Sequence, residues 1–568
     1  MQKLFQYLRP YRIYLILGPF FKLLEAIFEL IVPVVMAKII DNGIANSDSA
    51  YIGKMCGLIV ILGICGLGFA LTCQYFASKC AFSFGADLRG ALFRHIHTLS
   101  HTEIERIGSS TLINRITNDV TSSQQGVNMA IRLGTRAPFL VIGAIVMTLL
   151  IDWQLSLIFL VIAPILGFVL YAVLTRTIPM YTRNQQKLDI LTRHTGESLD
   201  GVRVIRAFSK QKAETAAFDA ECADLERSMI AAGRISVILN PATFLIMNLG
   251  IAAVLWFGGG QIDSGRLSQG DLTAFTNYMT QILLAGVQLA NLIQILTKAQ
   301  ASSLRIAQVL ETKSSMTNGD AIPADSEEAI RFDHVSFTYD GAAHPALEDI
   351  SFTLKKGETL GIIGGTGSGK STLAALIQRN YDATDGTVSV FGRNVREYDS
   401  RALHQSIGVV PQKAVLFTGT IEENLRWADE NATESQLREA IEIAQAAEFV
   451  DNLQYGLKTH LVQGGRNLSG GQKQRLTIAR ALAGKPELLI LDDSMSALDY
   501  ATDAKLREGL ATRCKGMTTV VISQRATSLR NADLILVMED GKCVGQGKHD
   551  DLLATCEVYR EIYESQNS

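Results

Sequence analysis

Charge is scarce in this chain of 568 residues: Asp, Glu, Lys and Arg make up 19% of it, against roughly 25% in a soluble domain. Together with a mean hydropathy of +0.18, that shortage argues against a wholly soluble protein. Net charge is −3, so the strong positive field that a nucleic-acid partner requires is missing, and no such partner is expected. Eight cysteines stand at positions 56, 65, 73, 80, 222, 514, 543 and 556, with no C-x-x-C pair among them. That spacing supports neither a zinc site nor a disulfide framework. Internal repeats and low-complexity tracts are also lacking. The opening MQKLFQYLRPYRIYL has no early apolar core ending at a small-residue cleavage site, so the first hydrophobic segment is expected to stay as an anchor.

What the chain does have is six apolar stretches, near 13–35, 55–78, 133–151, 153–175, 235–262 and 272–297. Each has about the 20 residues that cross a bilayer as a helix. Four of them hold no Asp, Glu, Lys or Arg; the third includes Arg136, and the first includes Lys22, Glu25 and Glu29. Residues 79–130 carry five basic side chains and 176–234 carry ten, whereas 263–271 carries Arg266 alone. The positive-inside rule then puts both long loops and both chain ends in the cytoplasm, and an even number of spans agrees. Rich in helix formers and poor in Gly and Pro, these loops read as helical hairpins reaching roughly 35 Å out of the bilayer. On this reading residues 1–311 form the membrane domain, 312–329 a polar, acidic linker, and 330–568 an α/β domain of alternating strands and helices.

The second half carries the chemistry. GGTGSGKST, from Gly364 to Thr372, lies between a strand-like TLGII and a helix-like STLAALIQ, the context of a P-loop. In such a loop Gly364, Gly365, Thr366, Gly367, Ser368 and Gly369 curl backbone N–H groups around phosphates, Lys370 reaches the β and γ phosphates, and Ser371, ahead of Thr372, can ligate Mg²⁺. LLILDDS is a buried strand ending in Asp492, suited to be a second Mg²⁺ ligand. It directly follows LSGGQKQRLTIARAL, Leu468 to Leu482.

The order of Tyr339, the P-loop, Gln412 in VVPQ, LSGGQ, Asp492, SALD (Ser496, Ala497, Leu498, Asp499) and a switch residue at Gln524 resembles the nucleotide-binding domain of ABC transporters. Six spans with two long cytoplasmic hairpins ahead of it resemble the exporter branch, so the likeness covers essentially the whole chain. The resemblance implies ATP and Mg²⁺ as cofactors and a multi-pass plasma-membrane protein with a cytoplasmic ATPase domain. It implies that Tyr339 stacks on adenine and that Gln412 contacts Mg²⁺ and senses the membrane part. Leu468, Ser469, Gly470, Gly471 and Gln472 would clamp the γ-phosphate of ATP held by an opposing domain. Turns near 101–107 and 201–212 would be coupling helices whose side chains, Ile104 and Phe208 among them, fill grooves beside Gln412 or pack inside their own hairpins.

Two positions depart from the family pattern. Where active members carry Glu after the strand Asp, this chain has Asp493, one methylene shorter; where they carry the switch histidine, it has Gln524. A carboxylate drawn back by roughly 1.5 Å holds the attacking water poorly, and misplacement on that scale costs about a hundredfold in rate. VQGGRN before LSGGQ also lacks the glutamate common in exporters. With the phosphate cradle and LSGGQ intact, the chain reads as the degenerate-site half of a heterodimeric exporter of small amphipathic molecules. Its partner would be a second half-transporter carrying the Glu and His. The alternatives are a nucleotide-sensing regulatory or channel-like subunit, or a homodimeric lipid or peptide exporter. In the membrane half, Glu25, Glu29, Asn277, Gln281, Gln288 and Asn291 are candidates for a cargo cavity; the alternatives are a local Lys22–Glu25 pair facing a neighbouring helix and, for the four amides, interhelical glue.

Overall fold

The computed structural model describes residues 2–567 apart from Ala497. It separates into two compact units, one of residues 1–97 and 108–312, the other of 98–107 and 313–568.

The first unit is all helical. Its principal helices are α1 (Arg12–Lys38), α2 (Ser49–Ile96), then, beyond α3 (His101–Ile107) of the other unit, α4 (Val120–Leu133), α5 (Arg136–Ile151), α6 (Trp153–Asp200), α7 (Val202–Ala207), α8 (Gln211–Val237), α9 (Leu239–Asp263) and α10 (Gln269–Glu311). Among the described residues five stretches are long and apolar enough to cross a bilayer: Ser49–Ile96, Ser109–Ile151, Trp153–Asp200, Gln211–Asp263 and Gln269–Glu311. Helix α1, with 27 residues, is the sixth span expected from the sequence. Its five charged residues are Lys22, Glu25 and Glu29 in the interior and Arg12 and Lys38 at the ends.

Helix starts follow capping chemistry: Asp48 accepts from the Ala50 and Tyr51 amides, Asp152 from Leu155 and Ser268 from Asp271. Because apolar side chains gain nothing by leaving lipid for one another, close helix contact depends on small residues. Gly126 on α4 shows this, since a Cβ there would stand 2.3 Å from the Ala299 Cβ on α10. Polar ties add to it. Arg305 of α10 grips buried Asp119, and the Tyr278 hydroxyl donates to the Leu30 carbonyl at 2.6 Å.

The second unit is α/β. Strands β1 (Glu328–Phe337), β2 (Leu347–Lys355), β4 (Asp385–Val390) and β5 (Arg393–Asn394) make an antiparallel sheet in the order β2-β1-β4-β5. A second sheet has the order β10-β9-β3-β8-β7-β6, with β3 (Thr359–Gly364), β6 (Ile407–Val410), β7 (Leu488–Asp492), β8 (Thr518–Ile522) and β9 (Leu534–Glu539) parallel and β10 (Lys542–Gly547) antiparallel at the edge. LLIL is an unbroken apolar run, and TLGII and TTVVI are apolar after their threonines, because a parallel sheet is covered on both faces; residues 488–491 are fully buried. Such sheets present ligands at the carboxyl ends of their strands. The P-loop follows β3 and leads into α11 (Lys370–Ile377), Asp492 ends β7, and Ser523 and Gln524 follow β8.

Candidate nucleotide site

Glycine is needed in the P-loop for room as well as rotation. Gly364 has φ +157 and Gly369 φ +95, and a Cβ on them would stand 2.1 Å from the Met538 carbonyl and 2.7 Å from the Ala346 carbonyl. Lys370, the first residue of α11, folds back so that its Nζ donates to the Gly364 carbonyl (2.9 Å), the Gly365 carbonyl and Ser368 Oγ (3.2 Å). Burial pushes its ammonium pKa down while the charges of Asp493 and Asp492 oppose the shift. A cation ringed by neutral oxygens at a helix N-terminus is an anion site.

At the neighbouring strand end, Ser371 Oγ donates to Asp492 Oδ1 at 3.1 Å. Burial raises the Asp492 carboxyl pKa and the Asp493 charge adds to that, against the Ser371 hydrogen bond and Lys370. A hydroxyl and a carboxylate at one point are hard oxygen donors of the kind Mg²⁺ takes.

Asp493 closes the corner. Its amide donates to the Ile522 carbonyl at 2.9 Å, Ser496 Oγ donates to its carbonyl at 2.7 Å, and its φ is +44. Asp tolerates this left-handed region better than side chains without a short polar group. Two amides reach the same carboxylate oxygen, Gln412 Nε2 at 3.4 Å and Gln524 Nε2 at 3.5 Å. The structure thus brings Gln412, Asp493 and Gln524 together at one corner. The shorter carboxylate is engaged by neutral donors.

Tyr339 lies two residues past β1. Its hydroxyl shares a 3.0 Å hydrogen bond with Thr372 Oγ1, and its ring meets Phe337 and Tyr381 edge-on at 4.8 and 5.4 Å. Ser469 caps the helix Gly470–Ala483: its Oγ accepts from the Gln472 amide at 3.3 Å, and Gln472 Oε1 accepts from the Ser469 amide at 2.9 Å. Gly470 and Gly471 therefore open the first turn of a helix whose free N–H groups suit an anion. Asp499 caps Tyr500–Arg513 through the Thr502 amide, which holds its carboxyl below the usual range. Ala497 lies outside the described residues; Ser496 and Leu498 flank it.

Several polar residues of the membrane unit hold one another, although Arg136 Nε and Gln281 Oε1 are buried without a hydrogen-bond partner. Lys22 holds Glu25 at 2.6 and 2.8 Å. Glu29 is held by Arg136 Nη2 at 2.9 and 3.2 Å, while Arg136 Nη1 donates to Gln288 and Gln281 donates to the Glu29 carbonyl. Asn277 and Asn291 are exposed, and Asn277 donates to Thr273 within its own helix. The Glu29–Arg136 pair, formed across 107 residues, has no sequence signal beyond two opposite charges at membrane depth. The 101–107 turn is a helix, α3, packed into the ATPase unit. Phe208, after α7, is 71% exposed, so it does not pack inside its hairpin.

Comparison with known proteins agrees with this geometry. The family described as ABC transporter transmembrane region matches residues 15–285, and that described as ABC transporter matches 347–496. An uncharacterized ABC transporter ATP-binding protein of Mycobacterium tuberculosis is 39% identical over 99% of this chain and 97% of its own length. An ATP-dependent lipid A-core flippase of Haemophilus ducreyi is 31% identical over 100% and 98%. A probable multidrug resistance ABC transporter ATP-binding/permease protein of Bacillus subtilis is 32% identical over 95% and 93%. The fold is shared with a bacterial Atm1-family ABC exporter solved with ATP bound, at a TM-score of 0.83 and 22% identity over 98% of this chain and 99% of that one. With a helical membrane unit and a P-loop ATPase unit on one polypeptide, this chain belongs to the ABC transporter family as an ATP-driven exporter.

Proposed function

We propose that this chain is one half of a heterodimeric plasma-membrane exporter that moves small amphipathic or hydrophobic molecules. It contributes a nucleotide site that binds ATP with Mg²⁺ and hydrolyses it weakly, and an intact LSGGQ that completes the active site of its partner. The observation that carries this reading is Asp493, a short carboxylate within reach of the Gln412 and Gln524 amides where hydrolysis needs a longer carboxylate and an imidazole. Lys370, Ser371, Asp492 and Gln412 would hold the triphosphate and its Mg²⁺, which when bound neutralises charge on the phosphates. The multidrug description of the Bacillus subtilis relative supports the cargo class.

The test is turnover of the purified chain in lipid nanodiscs, alone and with a partner half carrying Glu and His. Slow hydrolysis alone and brisk, vanadate-sensitive hydrolysis with the partner are expected; brisk turnover by the chain alone overturns the proposal. In the assembled pair, Asp493→Asn is expected to leave transport within about twofold, whereas Glu→Gln in the partner nearly abolishes it. A lipid cargo is the second reading, favoured by the Haemophilus ducreyi flippase relative. Headgroup-labelled lipid crossing the bilayer in proteoliposomes, set against accumulation of an amphipathic dye, separates the two.

A further inference from the structure

Residues 98–107 fall in the sequence between two helices of the membrane unit, yet they pack as part of the ATPase unit. Two carboxylates on α3 hold them there. Glu103, 4% exposed, accepts from the Ser100 amide at 3.1 Å, the Ser100 hydroxyl and the Ser315 amide at 3.3 Å, which ties α3 to the start of the linker. Glu105 accepts the Tyr381 hydroxyl at 2.8 Å.

Tyr381 is buried, with its ring edge-on to Tyr339 at 5.4 Å and tilted against Phe337 at 5.5 Å. Glu103 and Glu105 of α3 line one cavity of about 680 Å³ with Ser315, Tyr339 and Tyr381. Two residues earlier, Arg379 donates to the carbonyls of Thr317 (2.6 Å) and Tyr398 (3.3 Å) and pairs with Asp382 at 3.2 Å. The stretch from Arg379 to Asp382 thus grips the linker with its first residue and α3 with its third.

We propose that Tyr381 is a positioning residue that conveys base occupancy at Tyr339 to α3; the proposal rests on the reading of Tyr339 as the adenine platform. A purine on the Tyr339 ring fixes that ring against the edge of Tyr381. Tyr381 then keeps its hydroxyl on Glu105, a directional bond to a charged acceptor. The hydrogen bonds of Glu103 run to Ser100 and Ser315 and not to Tyr339 or Tyr381, so the beginning of α3 is held in either state. Only its Glu105 end responds. Ordering passed on in this way is measurable as slower amide exchange.

The experiment is hydrogen exchange of the full-length chain in nanodiscs, with and without saturating ATP and Mg²⁺, read on peptides covering 98–107, with affinity measured in parallel by a fluorescent ATP analogue. In the unaltered protein ATP slows exchange at Glu105–Ile107 roughly tenfold and leaves the amides near Ser100 unchanged. Tyr381→Phe keeps the ring and loses the slowing, with affinity within about twofold. Glu105→Ala loses it too, and Glu105→Gln, which retains an acceptor, keeps it. Full slowing in Tyr381→Phe, or none in the unaltered protein with ATP bound, overturns the proposal. Unchanged ATP affinity in Tyr339→Ala overturns instead the reading of Tyr339 on which it stands.

Discussion

Lys22 in the membrane unit and Lys370 in the ATPase unit are both partly withdrawn from solvent, and they end on opposite kinds of partner. Lys22 meets a carboxylate, Glu25, three residues on along its own helix; Lys370 meets two carbonyls and a hydroxyl, all neutral. A cation already matched by an anion is part of the scaffold. One held by neutral oxygens keeps its charge available to a ligand. The same contrast separates Arg136, spent on Glu29 and Gln288, from the phosphate cradle, and it explains why a motif-bearing lysine and a charged residue at membrane depth are to be read differently.

Removing the available charge should produce the largest effect. Lys370→Ala is expected to weaken binding of a fluorescent ATP analogue by roughly two to three orders of magnitude, the loss of charge-assisted bonds to two phosphates. Affinity within a few-fold of the unaltered chain would erase the distinction between the two lysines. Next in size, Asp493→Glu combined with Gln524→His should raise vanadate-sensitive turnover of the chain purified alone by roughly ten- to a hundredfold, because cradle and Mg²⁺ donors are already in place. No gain would place the defect elsewhere in the site.

On the matched side, Arg136→Gln strands Glu29 and should lower stability by about 2 kcal/mol, less than a fully buried pair would because the Glu29 side chain is 36% exposed. Glu29→Gln with Arg136→Gln should recover most of it; thermal unfolding in nanodiscs distinguishes a scaffold pair from one that serves cargo, for which transport and not stability would fall.

The smallest effect is a pH response at the far ends of α6 and α8. His194 reaches Glu221 at 3.0 Å and Glu214 at 2.8 Å, and these hydrogen bonds raise its pKa above the usual 6.5. A group whose pKa is raised on folding contributes fully below the unfolded value, and that contribution is lost as pH rises through the folded one. Exchange at residues 190–221, corrected for its intrinsic rate, should therefore quicken on going from pH 6 to above the raised pKa, by roughly two- to threefold, and His194→Ala should flatten the profile.

The nucleotide site was readable because its parts are contiguous. A phosphate loop needs glycines, Lys and Ser within nine residues, and LSGGQ contains both halves of its own capping box. The corner of Asp493 and Gln524 is also legible, since each sits beside an unambiguous strand. Long-range partners were not. Nothing local to Arg136 names Glu29, and nothing in HTEIERI says that its first acid, Glu103, will be buried against Ser315 while Glu105 finds a tyrosine 276 residues downstream. Such pairings are decided by packing, to which periodicity and motif spacing are blind. For the same reason Phe208 was left between two readings, and only its exposure removed one of them.

That the ATPase unit includes residues 98–107 has a consequence for synthesis of the chain. Its first piece leaves the ribosome more than two hundred residues before the rest, so the contacts that α3 makes with the ATPase unit form only after the intervening membrane helices have been synthesised. A fragment begun at Lys313 would present Tyr381 and Ser315 without the carboxylates that cap them, and should need the missing decapeptide in trans to become as resistant to protease as the same residues in the intact polypeptide.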